Sequence, residues 1–193
     1  MAPRIAILVG RRTKGSNMRA IATACQRGEL PAQVGPVVAP SEDSPAAENA
    51  RSIGLEPIVI SPEAANYEEL LLGALSGSDW ICLAGYMRLL PEGILRAFPR
   101  RILNIHPALL PKFGGKGMYG LHVHRAVLAA GEVETGASVH FVNERYDEGE
   151  IVLQERCRVE PGDTPESLAA RVSALEHRVY VAALQRLFAR EEP

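Results

Sequence analysis

Residues 5–9, IAILV, form an uninterrupted apolar run near the start of the chain and begin the pattern that decides the fold. Apolar runs without polar alternation are typical of strands buried on both faces of a parallel sheet. Similar runs follow at residues 34–39, 57–60, 80–83 and 102–105. The stretches between them have helical spacing, at about residues 18–27, 44–53, 66–76 and 92–97. This alternation predicts an α/β fold with right-handed crossovers.

The pattern changes after residue 120. A predicted helix at 122–130 precedes two predicted strands, at 137–142 and 151–159, and a final helix over about 165–189. In the first of these strands Ser138 and His140 alternate with apolar residues, which predicts one wetter face. We find no internal repeat or linker. We therefore predict a single Rossmann-like domain over residues 1–193, with a mostly parallel central sheet flanked by helices.

The composition excludes several classes of protein. The 193 residues carry 21 Lys and Arg against 23 Asp and Glu, a net charge of −2, which is unlike a globally basic nucleic-acid-binding protein. The 3 cysteines are widely spaced, so they indicate neither a disulfide framework nor a zinc site. No apolar run reaches the length of a membrane span. We expect a cytoplasmic protein that binds small molecules but neither nucleic acid nor membranes. Whether it forms a homodimer is left open.

The first loop, residues 10–17, follows the first predicted strand and precedes a predicted helix. Gly15 allows close approach of a ligand to the backbone, and Ser16 or Asn17 is expected to cap the helix. Three cations lie in this loop: Arg11, Arg12 and Lys14. Amide groups at a helix N-terminus favour an anion, so the loop predicts a phosphate site, with a solvated loop as the alternative. Neither G-x-G-x-x-G nor the P-loop pattern is present.

A second polar group follows the fifth predicted strand. Asn104 and His106 share one side of the strand end by the period of two. An amide beside an imidazole suits a developing oxyanion, with a purely structural pair as the alternative. Asp147 follows the His140 strand and could meet His106, raising its pKa and fixing its orientation. A turn Asp ahead of Gly149 is the structural alternative. The glycine-rich residues 112–120 are interpreted as a mobile cover over this site, with a flexible connector as the alternative.

Residues 104–111, NIHPALLP, are similar to the N-I-H-P-[SA]-L-L-P signature of folate-dependent formyltransferases. Further matching runs occur in family order: GSN at 15–17, AGYMRLL at 84–90, GASVHFV at 136–142, and Glu176 followed by His177. The chain as a whole resembles the phosphoribosylglycinamide formyltransferases of purine synthesis. The resemblance implies one formyltransferase domain, with glycinamide ribonucleotide as substrate, 10-formyltetrahydrofolate as formyl donor and no metal.

The resemblance also implies roles for individual residues. Asn104, His106 and Asp147 match the catalytic trio, in which Asn104 and a protonated His106 hold the oxyanion and Asp147 keeps His106 charged. The residues that match the ribonucleotide-binding positions are Gly15, Ser16, Asn17 and Glu176. The residues that match the folate-binding segment are Met87, Arg88, Leu89 and Leu90.

Departures from the family pattern affect ligand contacts. The first loop is longer than the family's S-G-x-G-S-N, Ala64 stands where many members carry a folate-contacting Arg, and Ser173 replaces a common Gln. His122 and His124 lack a third ligand, so we do not expect a metal there. The remaining alternatives are another formyltransferase or a formyl-folate hydrolase, disfavoured by chain length or by the 15–17 match, a non-catalytic ligand-binding module, and a redox enzyme.

Overall fold

A computed structural model of the chain describes residues 2–189. Within that range the strands are β1 (Arg4–Val9), β2 (Gln33–Ala39), β3 (Ile58–Val59), β4 (Trp80–Ala84), β5 (Ile102–His106), β6 (Glu134–Phe141) and β7 (Ile151–Arg158). The helices are α1 (Ser16–Gln26), α2 (Pro45–Arg51), α3 (Tyr67–Leu75), α4 (Glu92–Ala97), α5 (Leu121–Ala129) and α6 (Pro165–Phe188).

The strands form a seven-stranded sheet in the order β3-β2-β1-β4-β5-β6-β7. β1 pairs in parallel with β2 and β4, β2 pairs in parallel with β3, and β6 pairs antiparallel with β7. The predicted α/β fold with a mostly parallel sheet is therefore confirmed. Backbone contacts divide the chain into two compact units, Met1–Leu103 and Asn104–Pro193. A single domain over residues 1–193 stays a prediction.

In the first unit the apolar runs form the predicted strands. All residues of the IAILV run are buried, as expected for a strand covered on both faces. β3 is much shorter than its predicted four residues and lies at the sheet edge. Pro57, which precedes it, has no amide hydrogen to donate to a neighbouring strand, and this limits pairing there.

The start of α1 differs from the prediction. The cap residue is Gly15, in the left-handed conformation with φ 71°, and no side chain caps the helix. Ser16 is the first helical residue, so the prediction that Ser16 or Asn17 caps α1 is wrong. A positive φ is readily adopted by glycine, so the chain enters the helix two residues earlier than the apolar spacing indicated.

In the second unit α6 packs against β6, β7 and α5. The predicted wetter face of β6 is wrong, because Ser138 is 0% exposed and His140 is 2% exposed. Both polar side chains are buried with hydrogen-bond partners inside the unit. None of the helices within residues 2–189, including the 24-residue α6, has the length and apolar composition that a bilayer span requires.

Candidate active site

Asn104 and His106 lie two residues apart at the C-terminal end of β5, and both contact the same carboxylate. The Nδ1 atom of His106 lies 3.4 Å from Oδ2 of Asp147. The Nδ2 atom of Asn104 lies 3.5 Å from Oδ1 of that residue. The period of two therefore predicted the shared side correctly, and the predicted approach of Asp147 to His106 is confirmed.

Asp147 is held in a backbone conformation that few side chains adopt. Its φ is 59°, in the left-handed region, where Asp and Asn are tolerated better than most residues. The amide of Gly115 donates a hydrogen bond to Oδ2 at 2.9 Å. Burial raises the pKa of Asp147, but contacts with His140, His106 and the Gly115 amide outweigh burial and hold the pKa below its ordinary value. The group is therefore a carboxylate at neutral pH.

His106 is bound at both ring nitrogens. Its Nε2 atom lies 2.7 Å from the carbonyl oxygen of Phe113. Because a carbonyl only accepts hydrogen bonds, Nε2 carries a hydrogen in this arrangement. Nδ1 faces the Asp147 carboxylate, so the protonated ring would satisfy both contacts.

Burial nevertheless lowers the pKa of His106, and the Asp147 carboxylate and the Phe113 carbonyl offset only part of that effect. The predicted effect of Asp147, which raises the pKa of His106, is therefore present, but burial has the larger effect and the net shift is downward. The carboxylate acts in the predicted direction. However, the side chain is almost entirely removed from water, and loss of hydration disfavours the charged ring more strongly.

His140 belongs to the same cluster, and sequence reasoning missed this role. Its Nδ1 atom lies 2.8 Å from the carbonyl oxygen of Phe141, and its Nε2 atom lies 3.1 Å from Nδ2 of Asn104. The same Nε2 atom lies 3.5 Å from Oδ1 of Asp147, so the ring contacts both Asn104 and Asp147. His140 thereby orients Asn104. A histidine within an otherwise apolar strand end was the available signal.

The glycine-rich loop lies against this cluster through its backbone. The Phe113 carbonyl contacts His106 and the Gly115 amide contacts Asp147. A Cβ atom at Gly114 would lie 2.5 Å from Cδ2 of Leu110 and 3.1 Å from Cβ of Asp147, so a side chain here would require Leu110, Asp147 or the loop to shift. The interpretation of residues 112–120 as a cover that moves stays a prediction.

Ser138 fixes the segment that follows His106. Its hydroxyl donates to the carbonyl of Ala108 at 2.6 Å and accepts from the Leu110 amide at 3.0 Å. The side-chain amide of Gln154 also donates to the Ser138 hydroxyl, at 2.8 Å. Because these polar groups are buried and mutually satisfied, they define a single path for the chain after β5.

The first unit contains the predicted phosphate loop. Gly15 is buried, Ser16 is exposed and Asn17 is half-buried at the start of α1. Arg11 pairs with Glu63 at 3.2 Å, so one of the three loop cations contacts an acidic side chain. A helix N-terminus without a side-chain cap can receive an anion. The assignment of Gly15, Ser16 and Asn17 to ribonucleotide binding stays a prediction.

The predicted folate segment also lies in the first unit. Met87 is 48% exposed and Leu89 is 46% exposed, whereas Leu90 is buried. Arg88 pairs with Glu63 at 3.3 Å. Exposed apolar side chains on a loop suit contact with the face of an aromatic ring, and the folate assignment stays a prediction. Ala64 is half-buried.

Two further expectations concern the second unit. Glu176 lies half-buried on α6, and its predicted contact with the ribonucleotide stays a prediction. On α5 His122 is exposed and His124 is buried, so the two rings do not share one environment. Within residues 2–189 no group of three or more His, Cys, Asp or Glu side chains is placed to hold a metal ion.

The model of the formyl transferase family matches residues 3–184, a span that includes every candidate site residue. The chain belongs to the formyl transferase family. It is 46% identical over 175 residues to the chloroplastic phosphoribosylglycinamide formyltransferase of Arabidopsis thaliana, covering 86% of this chain and 60% of the relative. It is 36% identical over 172 residues to the phosphoribosylglycinamide formyltransferase of Escherichia coli, covering 86% of this chain and 79% of the relative.

Solved structures agree with this family assignment. The crystal structure of phosphoribosylglycinamide formyltransferase from Brucella melitensis matches with a TM-score of 0.88 and 39% identity, covering 98% of this chain and 97% of that chain. A formyltetrahydrofolate deformylase from Pseudomonas syringae matches with a TM-score of 0.82 at 21% identity, covering 98% of this chain and 62% of that chain, which shows the fold alone. The resemblance to phosphoribosylglycinamide formyltransferases is therefore confirmed.

The relatives bear on two further points. The chain spans 60% of the length of the Arabidopsis relative and 57% of the length of the phosphoribosylglycinamide formyltransferase from Vigna unguiculata. Both of these relatives are chloroplastic, whereas others come from bacteria. The predicted cytoplasmic location therefore stays a prediction.

Proposed function

We propose that this chain transfers a formyl group from 10-formyltetrahydrofolate to the primary amine of glycinamide ribonucleotide, a step of purine biosynthesis. The observation that carries the proposal is that the Asp147 carboxylate lies within 3.5 Å of both Asn104 and His106. Relatives that cover most of this chain bear the name of that activity.

In the proposed reaction, the amine nitrogen attacks the formyl carbon and forms a new C–N bond. The formyl oxygen gains negative charge as its double bond opens. Nδ2 of Asn104 and Nε2 of His106 donate hydrogen bonds to that oxygen, each worth about 3 kcal/mol in the transition state. The C–N bond to the folate then breaks, and the folate nitrogen takes up a proton.

Asp147 has two roles in this step, as a proton acceptor and as the negative charge beside His106. The attacking amine must lose a proton, and the carboxylate next to His106 can receive it through water. The negative oxygen that develops at Nε2, together with the carboxylate at Nδ1, favours the imidazolium form of His106 that burial alone disfavours. Charge on His106 is thus supported most strongly during the reaction itself.

The proposal requires the internal contacts of the trio to open. The Phe113 carbonyl accepts a hydrogen bond from Nε2 of His106. The side-chain amide of Asn104 is in contact with His140 and Asp147. The formyl oxygen therefore competes with protein acceptors for both donors. Displacement of the Phe113 carbonyl couples substrate binding to movement of the glycine-rich loop.

The ligand contacts follow the family pattern. We assign the ribonucleotide to Gly15, Ser16, Asn17 and Glu176. The folate donor is assigned to Met87, Arg88, Leu89 and Leu90. Exposed apolar side chains in the second group and an uncapped helix N-terminus in the first support this division.

A steady-state assay with glycinamide ribonucleotide and 10-formyltetrahydrofolate tests the proposal by following release of tetrahydrofolate. We expect turnover that needs both substrates, and a fall of about 100-fold or more in His106→Ala. Arg96→Ala, on the exposed face of α4, serves as the control and should retain wild-type turnover. Binding of both ligands without turnover in the wild type would instead indicate a non-catalytic binding module.

A further inference from the structure

Asn49, on α2, contacts the first loop immediately ahead of α1. Its side-chain amide donates a hydrogen bond to the carbonyl oxygen of Lys14 at 2.6 Å. Its Oδ1 atom accepts a hydrogen bond from Nε of Arg19 at 2.8 Å. One side chain on α2 is therefore bonded both to the loop backbone and to the first turns of α1.

The contact with Lys14 determines the direction of a second group. In a planar trans peptide the carbonyl and the following amide point in opposite directions. Because the Lys14 carbonyl points toward Asn49, the Gly15 amide hydrogen points away from α2. A reversed peptide would present the negative end of its dipole where the amide now points, which would repel an anion.

Apolar packing holds the same turn against α2. Gly15 is buried with φ 71°, and a Cβ atom there would lie 3.2 Å from Cβ of Ala46. Ala46 and Asn49 are three residues apart and therefore share one face of α2. The Lys14–Gly15 peptide thus contacts α2 through a steric contact and a hydrogen bond.

Arg19 completes the network and directs its charge toward α2. Its Nη2 atom donates to the hydroxyl of Ser52 at 2.6 Å, and that hydroxyl donates to the carbonyl of Asn49 at 2.7 Å. A cation in the first turns of a helix opposes the helix dipole. Here its guanidinium is bonded to the neighbouring helix.

We propose that Asn49 is a positioning residue for the phosphate group of the ribonucleotide. By holding the Lys14 carbonyl it keeps the Gly15 amide, at the start of α1, directed away from α2 and available to a phosphate monoester. This inference rests on the proposed function, because the phosphate belongs to the substrate assigned there. Asn49 itself does not contact the ligand.

The test compares two variants that separate the contacts of this network. Asn49→Ala removes the hydrogen bond to Lys14 without adding charge, and Ser52→Ala removes a contact of Arg19 while leaving the Lys14 bond in place. We expect Asn49→Ala to raise the KM for glycinamide ribonucleotide about three- to tenfold, the range equivalent to one lost hydrogen bond. The kcat and the KM for the folate should stay within about twofold of wild type, and Ser52→Ala should match wild type.

A second measurement separates positioning of the phosphate from general loosening of the fold. Binding of glycinamide ribonucleotide is compared with binding of the same molecule lacking its phosphate. Asn49→Ala should weaken only the first. If Asn49→Ala does not fold, Asn49→Leu, which is close to Asn in size and shape and adds no charge, also removes the bond to Lys14 and is expected to show the same selective loss.

The outcomes distinguish this inference from the function on which it rests. An active wild type with an unchanged ribonucleotide KM in Asn49→Ala overturns the positioning role alone. Equal weakening for the phosphorylated and dephosphorylated molecules also overturns it, since the effect would then be structural. A wild type that does not transfer the formyl group overturns both proposals.

Discussion

The Nε2 atom of His106 lies 2.7 Å from the carbonyl oxygen of Phe113, so a loop backbone occupies the donor that we assign to the reaction. Phe113 has a φ of 57°, a left-handed conformation that is unfavourable for a bulky residue. The contact is therefore made at a conformational cost. A substrate oxygen that replaces the carbonyl would also allow that residue to relax.

Gly114→Ala tests the close approach of this loop. The added Cβ would lie 2.5 Å from Cδ2 of Leu110 and 3.1 Å from Cβ of Asp147, so the Leu110 side chain, the loop or Asp147 must move. We expect kcat to fall roughly 10- to 100-fold, because a shift of about 1 Å in a catalytic group has effects of this size. Gly73→Ala in α3, where nothing lies within 4 Å of the added atom, is the control. Unchanged kcat in Gly114→Ala would show that the loop position does not matter.

Asp147→Asn tests the electrostatic coupling to His106. Asn tolerates the left-handed backbone at this position, so the change removes charge with little strain. The carboxylate raises the pKa of His106 against burial, and its loss should lower that pKa further. If the imidazolium is the working form, the fall in kcat/KM with rising pH should occur at lower pH in the variant. A pH profile that coincides with that of the wild type contradicts the coupling.

His124 is a buried imidazole, and its environment should make the stability of the fold depend on pH. Burial lowers the pKa of His124 below its ordinary value of 6.5, and its buried Nδ1 atom has no hydrogen-bond partner. The folded state then binds fewer protons than the unfolded state. The free energy of unfolding should therefore fall as pH drops below 6.5 toward the lowered pKa.

Urea unfolding at pH 7.5 and at pH 5.5 measures this loss, and His124→Gln should show a smaller difference between the two conditions than wild type. His106 and His177 also have pKa values lowered by burial, so part of the loss should remain in the variant. An equal loss in the variant and in wild type would exclude His124 as a source.

The cations of the first loop should contribute to ribonucleotide binding through long-range attraction. Replacing Arg11, Arg12 and Lys14 together by Gln should raise the KM for the ribonucleotide. The dependence of that KM on salt should become weaker, because fewer charges remain to be screened. Steady-state kinetics at several salt concentrations measure both effects. An unchanged KM in the triple variant would show that these side chains do not act on the substrate.

Sequence alone predicted the features that depend on local periodicity. The apolar run at 5–9 predicted β1, and the period of two placed Asn104 and His106 on one side of β5. The approach of Asp147 was also predicted, since it follows a strand that ends beside β5 in the sheet. These relationships follow from the regular geometry of strands.

The features that sequence missed depend on tertiary packing. The role of His140 requires knowing that its ring meets Asn104, a residue 36 positions away. The lowered pKa of His106 depends on how completely the fold removes the ring from water. The contact from Phe113 involves a backbone carbonyl, for which the side-chain pattern carries no signal.

The most direct test of the central claim follows a ¹³C label from the formyl group of 10-formyltetrahydrofolate by NMR, with glycinamide ribonucleotide present. We expect the label to appear as an N-formyl group on the ribonucleotide with wild-type protein, and this signal to be lost with His106→Ala. Label recovered as free formate, or retained on the folate while both ligands are bound, would contradict formyl transfer to the ribonucleotide amine.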